Sequence, residues 1–227
     1  MPPEELQSRL LDLQDVGYRE FHLKTCPQAK HVIGVRVPEQ RKLAREIIKG
    51  DFWQFLDTVQ PYYYEELLIT GIVITTAPMG LTERLDYTAW FVPQISNWAV
   101  CDTFCASFKP KPQDLSTLWD FILQYRSSIH EYELRFMFVM ILDHFILSEY
   151  LLQIFALLDE VKSDKYYVEM AKAWLIAEIF TKFRDAALDY LQRDQLSVFA
   201  HNKAIQKARE SRRISETDKQ LLLSMKL

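Results

Sequence analysis

"YELRFMFVMILDHFIL", residues 132–147, decides the fold class. Leu134, Phe138, Ile141, Leu142 and Phe145 recur at intervals of three and four and trace a single stripe. That is the period of a helix with one buried face; a half-buried strand would alternate. The same rhythm returns in "YYVEMAKAWLIAEIF", residues 166–180, where Tyr167, Met170, Ala171, Trp174 and Leu175 line a second stripe that ends on an acid, Glu178.

Working outward, the chain offers almost nothing to interrupt helices. It holds five glycines and nine prolines in 227 residues, and none of either from 113 to the end. Turn residues every 8–12 positions, the mark of short strands, are missing. Periodicity predicts helices near 4–15, 17–25, 38–49, 51–58, 62–76, 80–94, 97–108, 114–127, 131–147, 149–161, 165–182, 184–192, 197–210 and 215–225. Pro38 suits a first helical turn, and Asn97, Ser116 and Ser215 are candidate N-caps. Short helices in pairs, recurring every 30–35 residues or so from 62 onward, predict an all-α fold. We read it as one domain over 1–227, a curved α-solenoid of HEAT-like repeats in which each pair buries itself against its neighbours. An irregular helical bundle is the alternative. A solenoid matters for function because its curvature makes a concave surface able to hold an extended partner.

Charge narrows the function classes. The net charge is −4, with 49% hydrophobic and 26% charged residues, an ordinary globular composition. The sum conceals an asymmetry: residues 201–227 carry seven Lys and Arg against three acids, a balance of +4, leaving −8 for residues 1–200. A basic helical end on an acidic body hints at a polyanionic partner or is simply a solvated terminal helix. Three cysteines, Cys26, Cys101 and Cys105, are an odd number and widely split, which predicts reduced thiols. Cys101 and Cys105 lack a nearby His pair, so no metal is expected. No apolar run reaches the roughly 18 residues of a membrane span, and "MPPEELQSRL" lacks the form of a signal peptide, so the expectation is a cytoplasmic protein with no membrane partner.

Most catalytic signatures are missing. Five glycines cannot supply a phosphate-cradling loop. Neither H-E-x-x-H nor G-x-S-x-G occurs; His22, His31, His130 and His201 form no spaced set, and His144 reads as a hydrogen-bonded helix residue. What remains are polar and aromatic residues at odds with their helices. In "ISNWAVCDTFC", residues 95–105, Asp102 is the sole charge and lies one turn after Trp98, so the two share a face. Arg135 interrupts an apolar helix, and Trp174 lies at the centre of another. They read either as a structural Asp102–Arg135 ion pair with two core tryptophans, or as parts of a site.

Four stretches favour the site. "FHLKTCPQAKHVIGVRVPEQRKLAREI" (21–47), "SNWAVCDTF" (96–104), "YELRFMFVMILDHF" (132–145) and "YYVEMAKAWLIAEIFTK" (166–182) resemble the AlkD-like family of HEAT-like repeat DNA alkylation repair glycosylases. The first carries a G-x-x-x-P-x-x-R helix start and the second the W-x-x-x-D spacing. Arg135 falls on the family's catalytic-site arginine and Trp174 on its second active-site tryptophan. The likeness spans most of residues 18–213. It implies hydrolysis of the N-glycosidic bond of cationic N3- and N7-alkylpurines in double-stranded DNA, by a monomer without a cofactor and without flipping the base into a pocket. Asp102 would stabilise positive charge developing on the deoxyribose and hold the attacking water. Trp98 and Trp174 would add cation–π attraction, and Arg135 would grip a phosphate or orient Asp102. In "HNKAIQKARESRR", residues 201–213, Lys203, Lys207, Arg212 and Arg213 would clamp the DNA backbone, with Asn202 and Ser211 donating hydrogen bonds.

The sequence departs from the family pattern in places. Lys or Arg tends to stand beside the second tryptophan, where this chain has Glu169, Met170 and Ala177; Asn97 stands where a further tryptophan often precedes Trp98. With the acidic body, these departures keep two other readings open: a non-enzymatic binder of duplex or branched DNA on the same scaffold, and a protein-interaction scaffold.

Overall fold

A computed structural model describes residues 1–193 and 195–227. Among the described residues there are fourteen α-helices and no strand, and every helix expected from the sequence is present. The chain divides into two compact units, Met1–Asp114 and Leu115–Leu227.

The first unit holds α1 (Pro3–Asp12), α2 (Val16–Thr25), α3 (Val37–Lys49), α4 (Phe52–Thr58), α5 (Tyr64–Thr76), α6 (Leu81–Phe91) and α7 (Trp98–Ser107). Helices α3, α5 and α7 lie side by side in a row, and α1, α4 and α6 also pack on α5. The sequence of α5 explains its central place: it is apolar on all sides, and eleven of its residues are buried. Two of them are acids. Glu66 closes the start of the helix by accepting the Tyr62 and Tyr63 amides at 2.9 Å each. Glu65, fully buried, reaches back to the loop after α2 and accepts the amides of Ile33, Gly34 and Val35 at 3.0, 2.7 and 3.1 Å. Gly34 at φ 101° lets three consecutive amides converge on one carboxylate; a Cβ there would lie 2.6 Å from the Arg19 Cβ and the Asp15 carbonyl oxygen.

Gly71 performs a different task. It faces the rings of Phe91, at the end of α6, and Phe104, on α7, which stack at 4.8 Å. A Cβ at Gly71 would meet Phe91 Cζ at 2.8 Å and Phe104 Cδ2 at 3.1 Å. Gly71→Ala is therefore expected to lower stability by about 1–3 kcal/mol through overpacking, despite alanine's better helix propensity. Chemical denaturation measures this; an unchanged or raised midpoint would show that the rings yield.

The second unit holds α8 (Leu115–Ile122), α9 (Glu131–His144), α10 (Leu151–Glu160), α11 (Tyr166–Lys182), α12 (Arg184–Gln192), α13 (Val198–Glu210) and α14 (Glu216–Ser224). Here α9, α11 and α13 form the row, with α12 on α11 and α14 on α13. Such rows of paired helices are the packing of a helical-repeat protein.

Pro38 stands in the first turn of α3, and Asn97 and Ser215 cap α7 and α14 by accepting the amides of Val100 and Asp218. Ser116 is corrected: it lies inside α8, because a 3₁₀ turn at Pro112–Asp114 brings the chain into the helix and α8 begins at Leu115. Short 3₁₀ turns also account for the sequence-predicted end at 94 and start at 149, and the one at Leu123–Tyr125 carries α8 most of the way to the expected end at 127. Helix α9 stops at His144, before the expected 147. Phe145 leaves helical geometry at φ −120°, ψ 10°, while Phe145 and Ile146 stay buried, so the apolar run outlasts the helix.

Candidate functional site

Helix α7 presents the first pair of candidate residues. Its buried cap, Asn97, accepts the Val100 amide at 3.0 Å and fixes where the first turn begins. Ala99, Val100, Cys101, Phe104 and Cys105 face inward, with Phe104 anchored on the α5–α6 packing described above. Trp98 and Asp102 point the other way, and both are half-buried. The spacing of four thus puts an indole and a carboxylate together at the accessible edge of a largely buried helix. Behind them lies Cys26, fully buried at the end of α2; burial pushes its thiol pKa up, and the Asp102 carboxylate adds to that. The three cysteines are free and buried.

Helix α9 carries Arg135 in a different setting. Its side chain is 5% exposed. Its Nη1 donates to the Tyr167 carbonyl at 2.9 Å, and the guanidinium stands 5.7 Å from the centre of the Tyr167 ring. The Tyr167 amide in turn donates to the Glu131 carboxylate at 2.7 Å. The cation is held by the first turn of α11, and Tyr167 is a partner that sequence reading misses.

On α11 ten of seventeen residues are buried. Tyr167, Met170, Trp174 and Glu178 are half-buried and spaced by three or four, so Trp174 belongs to the helix's accessible stripe. Glu169 and Ala177, which stand where the family tends to carry a base, are buried and off that stripe. Glu169 pairs with Lys172 at 3.0 Å and accepts the hydroxyl of Ser197, the cap of α13. Lys172 also donates to the Val161 carbonyl at the end of α10. Burial lowers the Lys172 pKa and the charge of Glu169 opposes that shift. This acid therefore builds the unit's interior and does not face a ligand alongside Trp174.

Glu178, the acid that ends this stripe, has a partner that sequence reading misses. Arg213, just past α13, donates through Nη2 to both of its carboxylate oxygens, at 2.7 and 2.6 Å. The clasp sets a guanidinium one helical turn from Trp174. The i, i+4 spacing of Trp174 and Glu178 is a local signal; the pairing with a residue 35 positions on is not. Elsewhere in the basic end, Lys203 donates to Gln206 at 2.9 Å and Lys207 pairs with Glu210 at 3.1 Å. Arg212 is exposed, and the Ser211 hydroxyl oxygen accepts the Arg213 amide at 3.2 Å. Asn202 exchanges two hydrogen bonds with the Leu227 backbone, at 2.9 and 3.0 Å, so its side-chain amide is already engaged.

Trp98 and Asp102 are thus neighbours within the first unit. Arg135 joins Tyr167, and Arg213 joins Glu178 one helical turn along α11 from Trp174, within the second. Among the described residues, no three His, Cys, Asp or Glu gather so as to hold a metal ion, and no helix is long and apolar enough to cross a membrane.

No individual curated protein matches the chain at a significant level. The model of one family, described as DNA alkylation repair enzyme, matches residues 6–213, a span that contains both units' candidate residues. A match over that much of the sequence places the chain in the DNA alkylation repair enzyme family.

Proposed function

We propose that this protein is an alkylpurine DNA glycosylase that hydrolyses the N-glycosidic bond of cationic N3- and N7-alkylpurines in duplex DNA. The observation that carries this reading is the half-buried Trp98–Asp102 pair on α7, whose neighbouring residues face the core. An alkylated purine is already cationic and leaves as a neutral base, so the reaction needs no strong general acid. As the bond from C1′ to the base nitrogen breaks, its electron pair goes to the base and positive charge develops on the sugar. A fixed carboxylate stabilises that charge and takes the proton as water adds to C1′. The indoles of Trp98 and Trp174 offer π faces to the cation, each worth about 0.5–2 kcal/mol where water is excluded.

Arg135 is read as gripping a DNA phosphate. Its bond to the Tyr167 carbonyl fixes the arm from which it does so. Asn202, Lys203, Lys207, Ser211, Arg212 and Arg213 are assigned to the DNA backbone. The protein acts as a monomer and without a cofactor on this reading.

The experiment is direct. Duplex DNA treated with a methylating agent is incubated with the protein, and free 3-methyladenine and 7-methylguanine are quantified by chromatography. Release above a no-protein control is expected. Its absence would leave a DNA-binding or scaffolding member of the family.

A further inference from the structure

The α4–α6 side of the first unit has a charge and a surface chemistry unsuited to DNA. From Gly50 to Phe108 the chain contains one basic residue, Arg84, and seven acids. Arg84 is committed: its guanidinium donates to the carbonyls of Ile74, Ala77 and Met79 at 2.6, 2.8 and 3.3 Å, closing the end of α5. Glu65 and Glu66 are buried and satisfied by backbone amides, as described above. Asp102 is the half-buried carboxylate of α7 described above. Asp51, Asp57, Glu83 and Asp86 remain, all exposed and all on α4, its cap or α6.

Among these carboxylates lie aromatic rings that a packed core would have taken in. An open groove of about 470 Å³ runs between Val59, Gln60, Pro61 and Tyr62 on one side and Trp90 and Gln94 on the other. Tyr62 is 59% exposed and Trp90 41%. The Tyr62 ring is held from behind by stacking on His31 at 4.2 Å and by an edge contact with Tyr63 at 5.0 Å. Trp53, 40% exposed, lies 6.1 Å from the Tyr87 ring, whose hydroxyl donates to Asp57 at 2.6 Å. The Tyr62 ring is thus braced, Tyr87 holds an anion, and Asp86 stands one helical turn before Trp90 on α6.

We infer that this groove docks a lysine- and arginine-rich peptide segment of a partner protein. Cations laid over the faces of Trp90 and Tyr62 gain from the ring quadrupoles, and their unused N–H groups meet Asp57, Glu83 and Asp86. Exposed rings could also stack nucleobases. A nucleic acid there would set its phosphates against exposed carboxylates, which is the wrong sign for that partner. The inference is independent of the glycosylase reading, since α4 and α6 carry none of the residues assigned to it.

The test uses the full chain and a short fluorescein-labelled peptide of alternating lysine and arginine, followed by fluorescence anisotropy. Binding is expected that weakens as salt rises. Trp90→Ala, and separately the triple variant Asp57→Asn, Glu83→Gln, Asp86→Asn, should each weaken it by about tenfold or more. The triple variant Glu4→Gln, Asp12→Asn, Glu20→Gln makes the same change of charge on α1 and α2 and should keep the affinity. Circular dichroism confirms that each variant folds. The inference is overturned if the peptide does not bind, or if Trp90→Ala leaves affinity unchanged. Equal weakening by both triple variants would overturn it too, by reducing the attraction to net charge. So would single-stranded DNA bound with the same dependence on Trp90, which would make the groove a base-stacking platform.

Discussion

Asp102→Asn is expected to lower base release from methylated duplex by about 100- to 1000-fold, the scale seen when one preorganised electrostatic stabiliser is removed. Asparagine keeps the shape of the side chain and its place beside Trp98, and removes only the charge. The variant should therefore bind duplex DNA as the parent does, and its loss should appear in the rate of the chemical step under single-turnover conditions. The prediction turns on where charge develops. Heterolysis leaves positive charge on the sugar whichever charge the base carries away, so removing a carboxylate held near the sugar should slow release. A variant releasing base at the parent rate would remove Asp102 from the mechanism while leaving family membership intact. Chromatography of the freed base, with a circular dichroism melt to verify the fold, decides between these outcomes.

Lys172→Met is expected to destabilise the chain by about 3–5 kcal/mol, the usual cost of leaving one member of a buried ion pair without its partner. Glu169 and Lys172 are 5% and 3% exposed, so solvent does little to screen either charge. Lys172 joins the end of α10 to α11, and Glu169 joins α11 to the cap of α13 through Ser197. Methionine fills much of the lysine's volume and supplies neither charge nor donor. The double variant Lys172→Met, Glu169→Met should recover most of the loss, because no unpaired charge then remains in the interior. Chemical denaturation of parent, singles and double closes the cycle. A double variant as unstable as the sum of the singles would show that the two charges act independently.

These two predictions mark the boundary of what the sequence makes legible. Helix positions are local, set by spacing and caps, so all fourteen helices could be read directly, as could the shared face of Trp98 and Asp102. Helix ends depend on local geometry that periodicity does not encode. Ser116 has the chemistry of a cap, yet α8 begins one residue before it, and Phe145 continues an apolar stripe after the helix has stopped. Buried charge is the other blind spot. Glu65, Glu169 and Lys172 have the composition of a solvated surface, and only tertiary packing shows that they tie a loop to α5 and α11 to its neighbours. The departure from the family pattern at Glu169 has this physical reason: the residue serves the interior. The pairing of Glu178 with Arg213 escaped notice because it joins residues far apart in the chain.

The clasp between those two residues also governs how this end of the protein would meet a polyanion. Arg213, Lys207 and Lys219 stand against Glu178, Glu210 and Glu216 at 2.6, 3.1 and 4.0 Å. A phosphate that draws such a side chain away frees a condensed ion from the duplex and, at the same time, bares a carboxylate that collects a cation of its own. The net number of ions liberated is smaller than the number of side chains recruited. Attraction at this end will accordingly vary less steeply with ionic strength than its seven bases imply.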